Sequence, residues 1–360
     1  MQLGYGVIGL GRICARHIEA IDRLEGGRVA ALADTNVEKA QRLAAEHADS
    51  PAVYSDYHDL LADANVDVAV VLVPTHLHRD VSVAAMDAGK HVLCEKAMAP
   101  SVRQCMDMIE ARDRNGVKLM IGHSTRFRAP FITARKLIED GAIGEPLGID
   151  GHFVAGATQP GNVPQDFWRF KAGAAGHGYV VNFGCHYIDT SRMVLGADPV
   201  SVSGHVGNRF SQGVIPEDHY VITALCEGDK TISLAQYGTL ESYRVPTNGY
   251  AIFGTEGLIE AYWRPDRLLL SAAGEETRPI EVDPALHEAG AWGREHDGFY
   301  ACIVDDTEEP VTGEDAMRNI EWATAAYLSS ERRCWVDLPL CEEDCEYCGP
   351  CLEETLPPAE

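Results

Sequence analysis

The stretch that most constrains this chain is Tyr5–Ala15, where a short apolar run is followed by a glycine pair. Val7 and Ile8 predict a strand, and Gly9-Leu10-Gly11 predicts a tight turn that opens a helix. Such a turn directs backbone N–H groups toward a helix N-terminus, where they can bind a pyrophosphate. Cys14 occupies the third glycine position of the G-x-G-x-x-G pattern, which is a departure from that fingerprint. The residues expected to contact a dinucleotide here are Gly9, Gly11, Arg12 and Ile13.

An acidic residue stands where this motif requires one. The segment 28–33 predicts a second strand, and it ends at Asp34, 23 residues after Gly11. A carboxylate there can accept hydrogen bonds from the adenosine ribose hydroxyls and would repel a 2′-phosphate. Thr35 follows instead of an arginine, so we expect Asp34 and Thr35 to favour NAD over NADP. The alternative is that Asp34 caps the helix that begins near Asn36.

The first 122 residues alternate between strand and helix patterns. Alternation of this kind predicts parallel strands joined by right-handed crossovers, which is a doubly wound α/β sheet. The candidate strands are 3–8, 28–33, 66–73, 90–94 and 117–121, and the candidate helices are 12–24, 36–48, 56–64, 77–89 and 101–115.

Beyond residue 122 the pattern becomes rich in extended segments with few crossover helices between them. This predicts an antiparallel or mixed sheet in a second, α+β domain. The candidate strands are 146–155, 199–209, 218–226, 230–239 and 247–253, with more to about 271, and the candidate helices are 129–140, 184–195 and 314–331.

Composition excludes several classes of partner. The net charge of −25 over 360 residues argues against nucleic acid and against anionic membranes. No apolar run reaches the roughly 18 residues that span a bilayer, and the first strand begins too early for a signal peptide. Seven cysteines are scattered through apparent core segments, as in proteins of a reducing compartment. We therefore expect a cytoplasmic protein.

Two predicted strands end in polar residues. Because ligands bind beyond the carboxyl ends of parallel strands, these residues are candidates for a cofactor site. A lysine near a nicotinamide could stabilise negative charge on a reacting oxygen. The alternatives are a histidine that only covers the following helix, and a surface ion pair between the glutamate and the lysine. The candidates are Pro74, Thr75, His76, His78, Glu95 and Lys96.

Taken together, these motifs resemble the Gfo/Idh/MocA oxidoreductases, the group of glucose–fructose oxidoreductase and inositol dehydrogenase. The resemblance covers roughly residues 3–336 and includes the segment Gly178–Asp189. Two positions depart from the family pattern. Ala97 replaces the proline of Glu-Lys-Pro, and Asn182 replaces the aspartate that usually precedes His186 by four residues.

The resemblance implies a fold and a chemistry. It implies an NAD-binding Rossmann domain (1–122), then a domain with a large open-faced, mostly antiparallel sheet for substrate binding and oligomerisation (123–336), and leaves a tail (337–360). A cleft between the domains would hold NAD(P) and a polyol, and the protein would be a homodimer or homotetramer. The expected catalytic pair is Lys96 and His186, and Asn182 would orient His186 or a substrate hydroxyl. A neutral histidine can accept a hydroxyl proton near neutral pH.

Further polar residues fit a substrate site. Arg126 follows the last Rossmann strand, and an aromatic residue lies among charged residues before a glycine-rich stretch. An aromatic ring beside cations suits a sugar, although an ordinary charged loop would have the same composition. The candidates are Arg126, Trp168, Arg169, His177, Asn182 and His186, with Asp166 and Lys171 beside them.

The tail carries four closely spaced cysteines, Cys341, Cys345, Cys348 and Cys351. Thiolates at such spacing can bind zinc or an iron–sulfur cluster. The surrounding glutamates disfavour thiolate formation, and the alternative is an exposed, reducible or disordered tail.

The leading hypothesis is an NAD-dependent oxidoreductase that moves a hydride between nicotinamide and a secondary hydroxyl of a sugar, glycoside or cyclitol. One alternative is an NAD-dependent glycosidase or lyase that forms a transient 3-keto sugar and releases no net NADH. Another is a dehydrogenase of a cyclic cis-dihydrodiol. A non-catalytic NAD-binding sensor is the fourth hypothesis, which Asn182 makes conceivable and the retained Lys96 and His186 disfavour.

Overall fold

A computed structural model describes residues 1–156, 178–211, 215–239, 248–263 and 266–349. The chain forms two compact units. Unit 1 comprises Met1–Ser124 and Ala291–Met317, and unit 2 comprises Thr125–Gly290 and Arg318–Glu360. The first unit ends close to the predicted boundary at residue 122. Residues 291–317, which the sequence analysis assigned to the second domain, belong instead to unit 1.

Unit 1 is built on a parallel sheet. Its strands are β1 (Leu3–Ile8), β2 (Gly27–Ala33), β3 (Ala52–Tyr54), β4 (Val68–Val71), β5 (His91–Glu95) and β6 (Leu119–Gly122). They lie in the order β3-β2-β1-β4-β5-β6, and every neighbouring pair is parallel. Successive strands are added on one side of β1 up to β3 and on its other side from β4 onward, so the strand order reverses between β1 and β4. Sheets of this kind bind ligands at that point. The predicted doubly wound parallel sheet is confirmed.

Helices alternate with these strands as the sequence predicts. They are α1 (Cys14–Arg23), α2 (Val37–Glu46), α3 (Tyr57–Leu61), α4 (His78–Asp87) and α5 (Val102–Asn115). Local sequence explains the boundaries of α5. The Ser101 hydroxyl accepts a hydrogen bond from the Gln104 amide, and Gly116 ends the helix with a φ of 62°.

Unit 2 is built on a second sheet. Its elements are α6 (Ala129–Glu139), β7 (Pro146–Gly156), α7 (Cys185–Leu195), β8 (Pro199–Gly207), β9 (His219–Cys226), β10 (Lys230–Thr239), β11 (Gly249–Gly254), β12 (Gly257–Trp263), β13 (Asp266–Ala272), β14 (Arg278–Pro279), α8 (Pro284–Glu288) and β15 (Val336–Asp337). Among the described residues, the strands lie in the order β14-β13-β12-β11-β7-β10-β9-β8-β15. The pair β7–β10 is parallel and the other pairs are antiparallel, which confirms the predicted, mostly antiparallel sheet.

Aromatic packing holds α7 against this sheet. The ring of Tyr187 stacks on Phe153 of β7, with ring centroids 3.4 Å apart. The Tyr250 hydroxyl donates a hydrogen bond to the Tyr187 carbonyl over 3.1 Å. A π-helical turn, Val180–Gly184, leads directly into α7 and was not anticipated from the sequence. Single π turns are rare and often occur at functional sites.

Two helices lie toward the end of the chain. They are α9 (Gly290–Val304), which belongs to unit 1, and α10 (Gly313–Arg332), whose first residues belong to unit 1 and the rest to unit 2. Sequence patterns do not predict α9, because its buried residues include the polar Glu295 and His296, which obscure the apolar periodicity. No helix in the described ranges has the length and hydropathy needed to cross a membrane.

Candidate active site

The glycine turn after β1 has the geometry of a phosphate-binding turn. Gly9 has a φ of +91°, and a Cβ there would lie 2.9 Å from the Leu72 carbonyl, so only glycine fits. Among the described residues, a Cβ on Gly11 would meet no atom within 4 Å. Within the same part of the chain no side chain caps the N-terminus of α1, which begins next to the exposed Arg12 and the half-buried Ile13. Open space beside an uncapped helix N-terminus fits a pyrophosphate.

Asp34 links this turn to the end of β2. Its Oδ2 accepts a hydrogen bond from the Leu10 amide over 2.7 Å, and its Oδ1 accepts one from the Asn36 amide over 2.8 Å. The helix α2 is capped by Asn36, whose Oδ1 accepts from the Lys39 amide. Asp34 therefore does not cap α2, which removes the alternative role. Each carboxylate oxygen has more than one lone pair, so both can also accept ribose hydroxyls. The following Thr35 is exposed.

The two histidines after β4, His76 and His78, have different hydrogen-bond surroundings. Pro74 precedes a short 3₁₀ turn, Thr75–Leu77, and the buried Nδ1 of His76 has no hydrogen-bond partner among the described residues. His78 is buried, with Nδ1 2.8 Å from the Ala97 carbonyl and Nε2 2.9 Å from the Val73 carbonyl. Burial lowers the pKa of His78, although both carbonyls oppose the shift. A neutral imidazole has one N–H, so His78 donates to one of these two carbonyls. The role of His78 in cofactor binding stays a prediction.

Glu95 ends β5, and Lys96 follows it at the same edge of the sheet. Glu95 Oε2 accepts a hydrogen bond from the Lys96 amide over 3.1 Å, and its Oε1 lies 3.1 Å from His17 Nε2. Burial alone would raise the pKa of Glu95, but the His17 hydrogen bond and the nearby Lys96 charge outweigh it and lower the pKa. The Lys96–Ala97 peptide bond is cis, although Ala97 is not proline. The half-buried Lys96 side chain thus starts from a backbone held by an ionised carboxylate.

In unit 2, His186 lies at the start of α7. Its Nδ1 is 3.1 Å from the Thr125 hydroxyl, which can accept a hydrogen bond from Nδ1 or donate one to it. When Nδ1 carries the proton and donates to this hydroxyl, Nε2 is the unprotonated nitrogen that can act as a base. Asn182 is half-buried in the preceding π turn, so the two residues lie across a junction between two kinds of helix. The sequence suggested Asn182 as the group that orients His186, and the structure adds Thr125.

Arg126 is held by a buried carboxylate. Its Nε donates a hydrogen bond to Asp189 Oδ2 over 2.9 Å, and its Nη2 pairs with Asp189 Oδ1. Asp189 is fully buried, and Asn319 Nδ2 donates to the same Oδ1 over 2.9 Å. The sequence predicted Arg126 as a substrate residue. In the structure, the Arg126 guanidinium contacts Asp189 of α7, one helical turn beyond His186, and neutralises the charge of that buried carboxylate.

The π turn is anchored by a second buried acid, Glu217. Its Oε1 accepts hydrogen bonds from the Val180 amide over 3.0 Å and from the Tyr327 hydroxyl over 2.6 Å. Burial raises the pKa of Glu217 to about 7, and the neighbouring Asp218 charge adds to the rise, although the hydrogen bonds from Tyr327, Val180 and Gly178 oppose it. Glu217 thus holds the segment that carries Asn182 and is mostly protonated below neutral pH.

Glu217 should make the stability of the protein depend on pH. Its pKa is raised in the folded state, so its contribution is present below the ordinary glutamate pKa and is lost as pH rises through about 7. Between about pH 5 and pH 8, the free energy of unfolding should fall by up to about 3 kcal/mol more in the unmodified protein than in Glu217→Gln. Urea unfolding at several pH values measures this. The exposed Glu227 supplies the control, because Glu227→Gln should leave the pH dependence unchanged. Parallel curves for the protein and Glu217→Gln would contradict the expectation.

Several predicted site residues lie outside the described part of the chain. These are Asp166, Trp168, Arg169, Lys171, His177 and Cys351. Their proposed roles in substrate or metal binding stay predictions.

The described part of the tail packs on α10. Arg332 pairs with Asp344, and the Leu340 amide donates to Glu321 Oε1 over 2.8 Å. Cys345 is buried, while Cys341 and Cys348 are exposed. Within the described ranges, three or more potential metal ligands come together at Asp22, His47 and Asp49, and not at these three thiols. The prediction of zinc or an iron–sulfur cluster therefore receives no support from the described thiols.

The fold and the glycine turn define a dinucleotide-binding oxidoreductase, and comparison with known sequences identifies its family. The sequence profile of the Gfo/Idh/MocA oxidoreductase family, NAD-binding Rossmann fold, matches residues 3–123. The profile of the Gfo/Idh/MocA C-terminal domain matches residues 131–260. The chain belongs to the Gfo/Idh/MocA family, as its motifs indicate.

Individual relatives are similar over almost the whole chain. D-xylose 1-dehydrogenase [NADP(+)] of Haloarcula marismortui is 27% identical, over 93% of this chain and 92% of the relative. The 1,5-anhydro-D-fructose reductase of Ensifer adhaerens is 28% identical, over 90% and 94%. The crystal structure of aldose-aldose oxidoreductase from Caulobacter crescentus, complexed with glycerol, superposes with a TM-score of 0.81. It is 27% identical and is aligned over 94% of this chain and 100% of that one.

Proposed function

We propose that this protein is an NAD-dependent dehydrogenase that oxidises a secondary hydroxyl of a sugar, glycoside or cyclitol. The observation that carries the proposal is the retention of Lys96 and His186 at the positions of the family's catalytic pair. Bound NAD would supply the hydride acceptor. His186, held by Thr125 through Nδ1, would accept the hydroxyl proton at Nε2. The Lys96 ammonium group would stabilise the negative charge that develops on the substrate oxygen.

The substrate class rests on the named relatives, which are dehydrogenases, reductases and oxidoreductases of sugars. A panel of aldoses, anhydrosugars, glycosides and inositols tests it, if nicotinamide absorbance and product mass are followed together. We expect NADH to accumulate in proportion to a product that is two hydrogens lighter. Cleavage of a glycoside without net NADH would instead support the glycosidase or lyase alternative, and oxidation of a cis-dihydrodiol alone would support the third hypothesis. NAD binding without turnover of any of these compounds would support the fourth hypothesis, a non-catalytic NAD-binding sensor.

We further propose that NAD is preferred over NADP through Asp34. Asp34→Ala should raise the KM for NAD about tenfold, because a charged hydrogen-bond acceptor for the ribose is lost. The same change should reduce the difference in KM between NAD and NADP, because the charge that repels a 2′-phosphate is also lost. Steady-state kinetics with both cofactors measure this. Asp34→Asn is the matched variant, because it keeps the size and one acceptor while it removes the charge that repels a 2′-phosphate. Equal use of the two cofactors by the unmodified protein would contradict the proposal, and the NADP named for the Haloarcula relative makes that comparison informative.

We also propose that a second copy of this chain covers the open face of the unit 2 sheet. Four apolar side chains on this face are at least 40% exposed, and strand register places them on the same side: Val221, Leu225, Tyr237 and Phe253. Apolar patches of this kind usually mark contact surfaces. Light scattering should give at least twice the mass of one chain, and a monomer at micromolar concentration would contradict the proposal.

A further inference from the structure

Hydrogen-bond distances connect Glu95, which is half-buried, in one chain with two buried histidines of unit 1. Glu95 Oε1 lies 3.1 Å from His17 Nε2, and His17 Nδ1 lies 3.0 Å from His296 Nε2. Both histidines are 0% exposed. His17 belongs to α1, Glu95 ends β5, and His296 belongs to α9, the helix that sequence patterns do not predict. The chain thus connects three elements that are far apart in sequence.

The direction of each hydrogen bond in this chain follows from the groups present. An ionised Glu95 can only accept, so His17 must donate from Nε2. A neutral His17 then accepts at Nδ1, and His296 must donate from Nε2. This leaves His296 Nδ1 without a proton, which agrees with its surroundings, because that buried atom has no hydrogen-bond partner among the described residues. The opposite state, with His17 protonated, would place a buried N–H at His296 Nδ1 without an acceptor, which is costly.

The burial of His17 and His296 favours the same arrangement. Glu95 faces His17, Lys96 and His78. His296 faces His17, with ring centroids 5.2 Å apart, and the ring of Tyr5 at 6.1 Å. Burial lowers the pKa of His296 well below its ordinary value. A neutral His296 is therefore suited to donate one N–H to His17 without adding a buried charge.

We propose that His17 and His296 are positioning residues that act through Glu95 on Lys96. The two imidazoles fix the Glu95 carboxylate through Oε1, and its Oε2 accepts from the Lys96 amide. The position of the Lys96 backbone therefore depends on hydrogen bonds that run from Glu95 through His17 to His296 on α9. This inference rests on the proposed function for the role of Lys96, although the hydrogen-bond chain itself does not.

The protonation pattern can be tested without any activity. Long-range ¹H–¹⁵N spectra of protein with labelled histidine report the protonated nitrogen of each imidazole, with His17→Gln and His296→Gln used to assign the signals. At neutral pH we expect both histidines to be neutral with the proton on Nε2. A doubly protonated His17, or a proton on His296 Nδ1, would overturn the proposed chain whatever the protein catalyses.

Kinetics of two matched variants test the positioning role. His17→Leu removes the donor and leaves Glu95 in a buried site, so kcat should fall about 10- to 100-fold because Lys96 is displaced. The acidic limb of the pH profile should also shift upward, because Glu95 loses the His17 hydrogen bond that lowers its pKa. His17→Gln keeps an N–H close to the Nε2 position, and it should recover most of the rate and restore the profile. His296→Leu should shift the profile in the same direction by less.

The outcomes separate this inference from the proposed function. If Lys96→Met is inactive while His17→Leu keeps normal kcat and an unchanged pH profile, the positioning role is refuted and the lysine role survives. If Lys96→Met retains full turnover, the lysine role fails and the positioning role is refuted with it, while the spectra still decide whether the hydrogen bonds between Glu95, His17 and His296 exist. Equal losses in His17→Leu and His17→Gln, with unchanged pH profiles and lowered melting temperatures, would show a merely structural role and overturn the inference.

Discussion

Replacing His186 by alanine should lower kcat by about 10²- to 10⁴-fold, which is the usual effect of removing a proton acceptor. Lys96→Met should have an effect of similar size, because the developing negative charge on the substrate oxygen loses its cation. Neither residue belongs to the Gly9–Gly11 turn or to Asp34, so NADH should still bind. Stopped-flow kinetics with the best substrate of the panel measure the rate, and NADH fluorescence measures the binding.

Neighbouring residues supply matched controls for His186. Thr125→Val removes the hydroxyl at Nδ1 without changing the size of the side chain, and it should lower kcat, whereas Thr125→Ser should retain it. Asn182→Asp restores the carboxylate that is usual in the family. If Asn182 only orients His186, this change should keep activity and shift its pH profile; if Asn182 binds a substrate hydroxyl, KM should rise instead. Near-normal turnover by His186→Ala would remove this residue from the mechanism and make His177 the next candidate.

Sequence patterns predict most of the fold because the strands of unit 1 are buried on both faces. The apolar run that includes Val68–Val71 is a direct consequence of that burial. β3 was missed because it has only three residues, none of them fully buried. α9 was missed for a different reason. The polar residues Glu295 and His296 are buried within unit 1 by residues that are distant in sequence, and a local sequence pattern does not indicate such contacts.

The candidate site was predicted where chemistry depends on residue type and order, and not where it depends on contacts. The spacing from Gly11 to Asp34 identified an acid, and only the structure could show that Asn36 caps α2. Similarly, no spacing rule connects His17 with His296 across 279 positions. The π turn at Val180–Gly184 also depends on tertiary contacts, since Glu217 accepts the Val180 amide hydrogen bond.

Arg126 shows how a contact changes the interpretation of a residue. The sequence places a cation after the last Rossmann strand, where it could bind an acidic or polyol substrate. The structure gives it a fully buried partner, Asp189, and leaves only 10% of the Arg126 side chain exposed. The two interpretations predict different measurements. A substrate residue affects KM, whereas the partner of a buried carboxylate affects stability.

Arg126→Met should therefore destabilise the protein by about 3–5 kcal/mol, because it leaves the charge of Asp189 buried without its cation. Chemical denaturation measures this, and Lys136→Met provides the control. Lys136 forms an exposed pair with Asp140 on α6, with side chains 72% and 54% exposed, so its loss should change the free energy of unfolding little. The double variant Arg126→Met with Asp189→Asn should recover much of the stability, since no buried charge remains unpaired. A raised substrate KM with an unchanged free energy of unfolding in Arg126→Met would instead support the prediction that Arg126 binds substrate. Loss of stability that Asp189→Asn relieves would assign it to the support of α7 and His186.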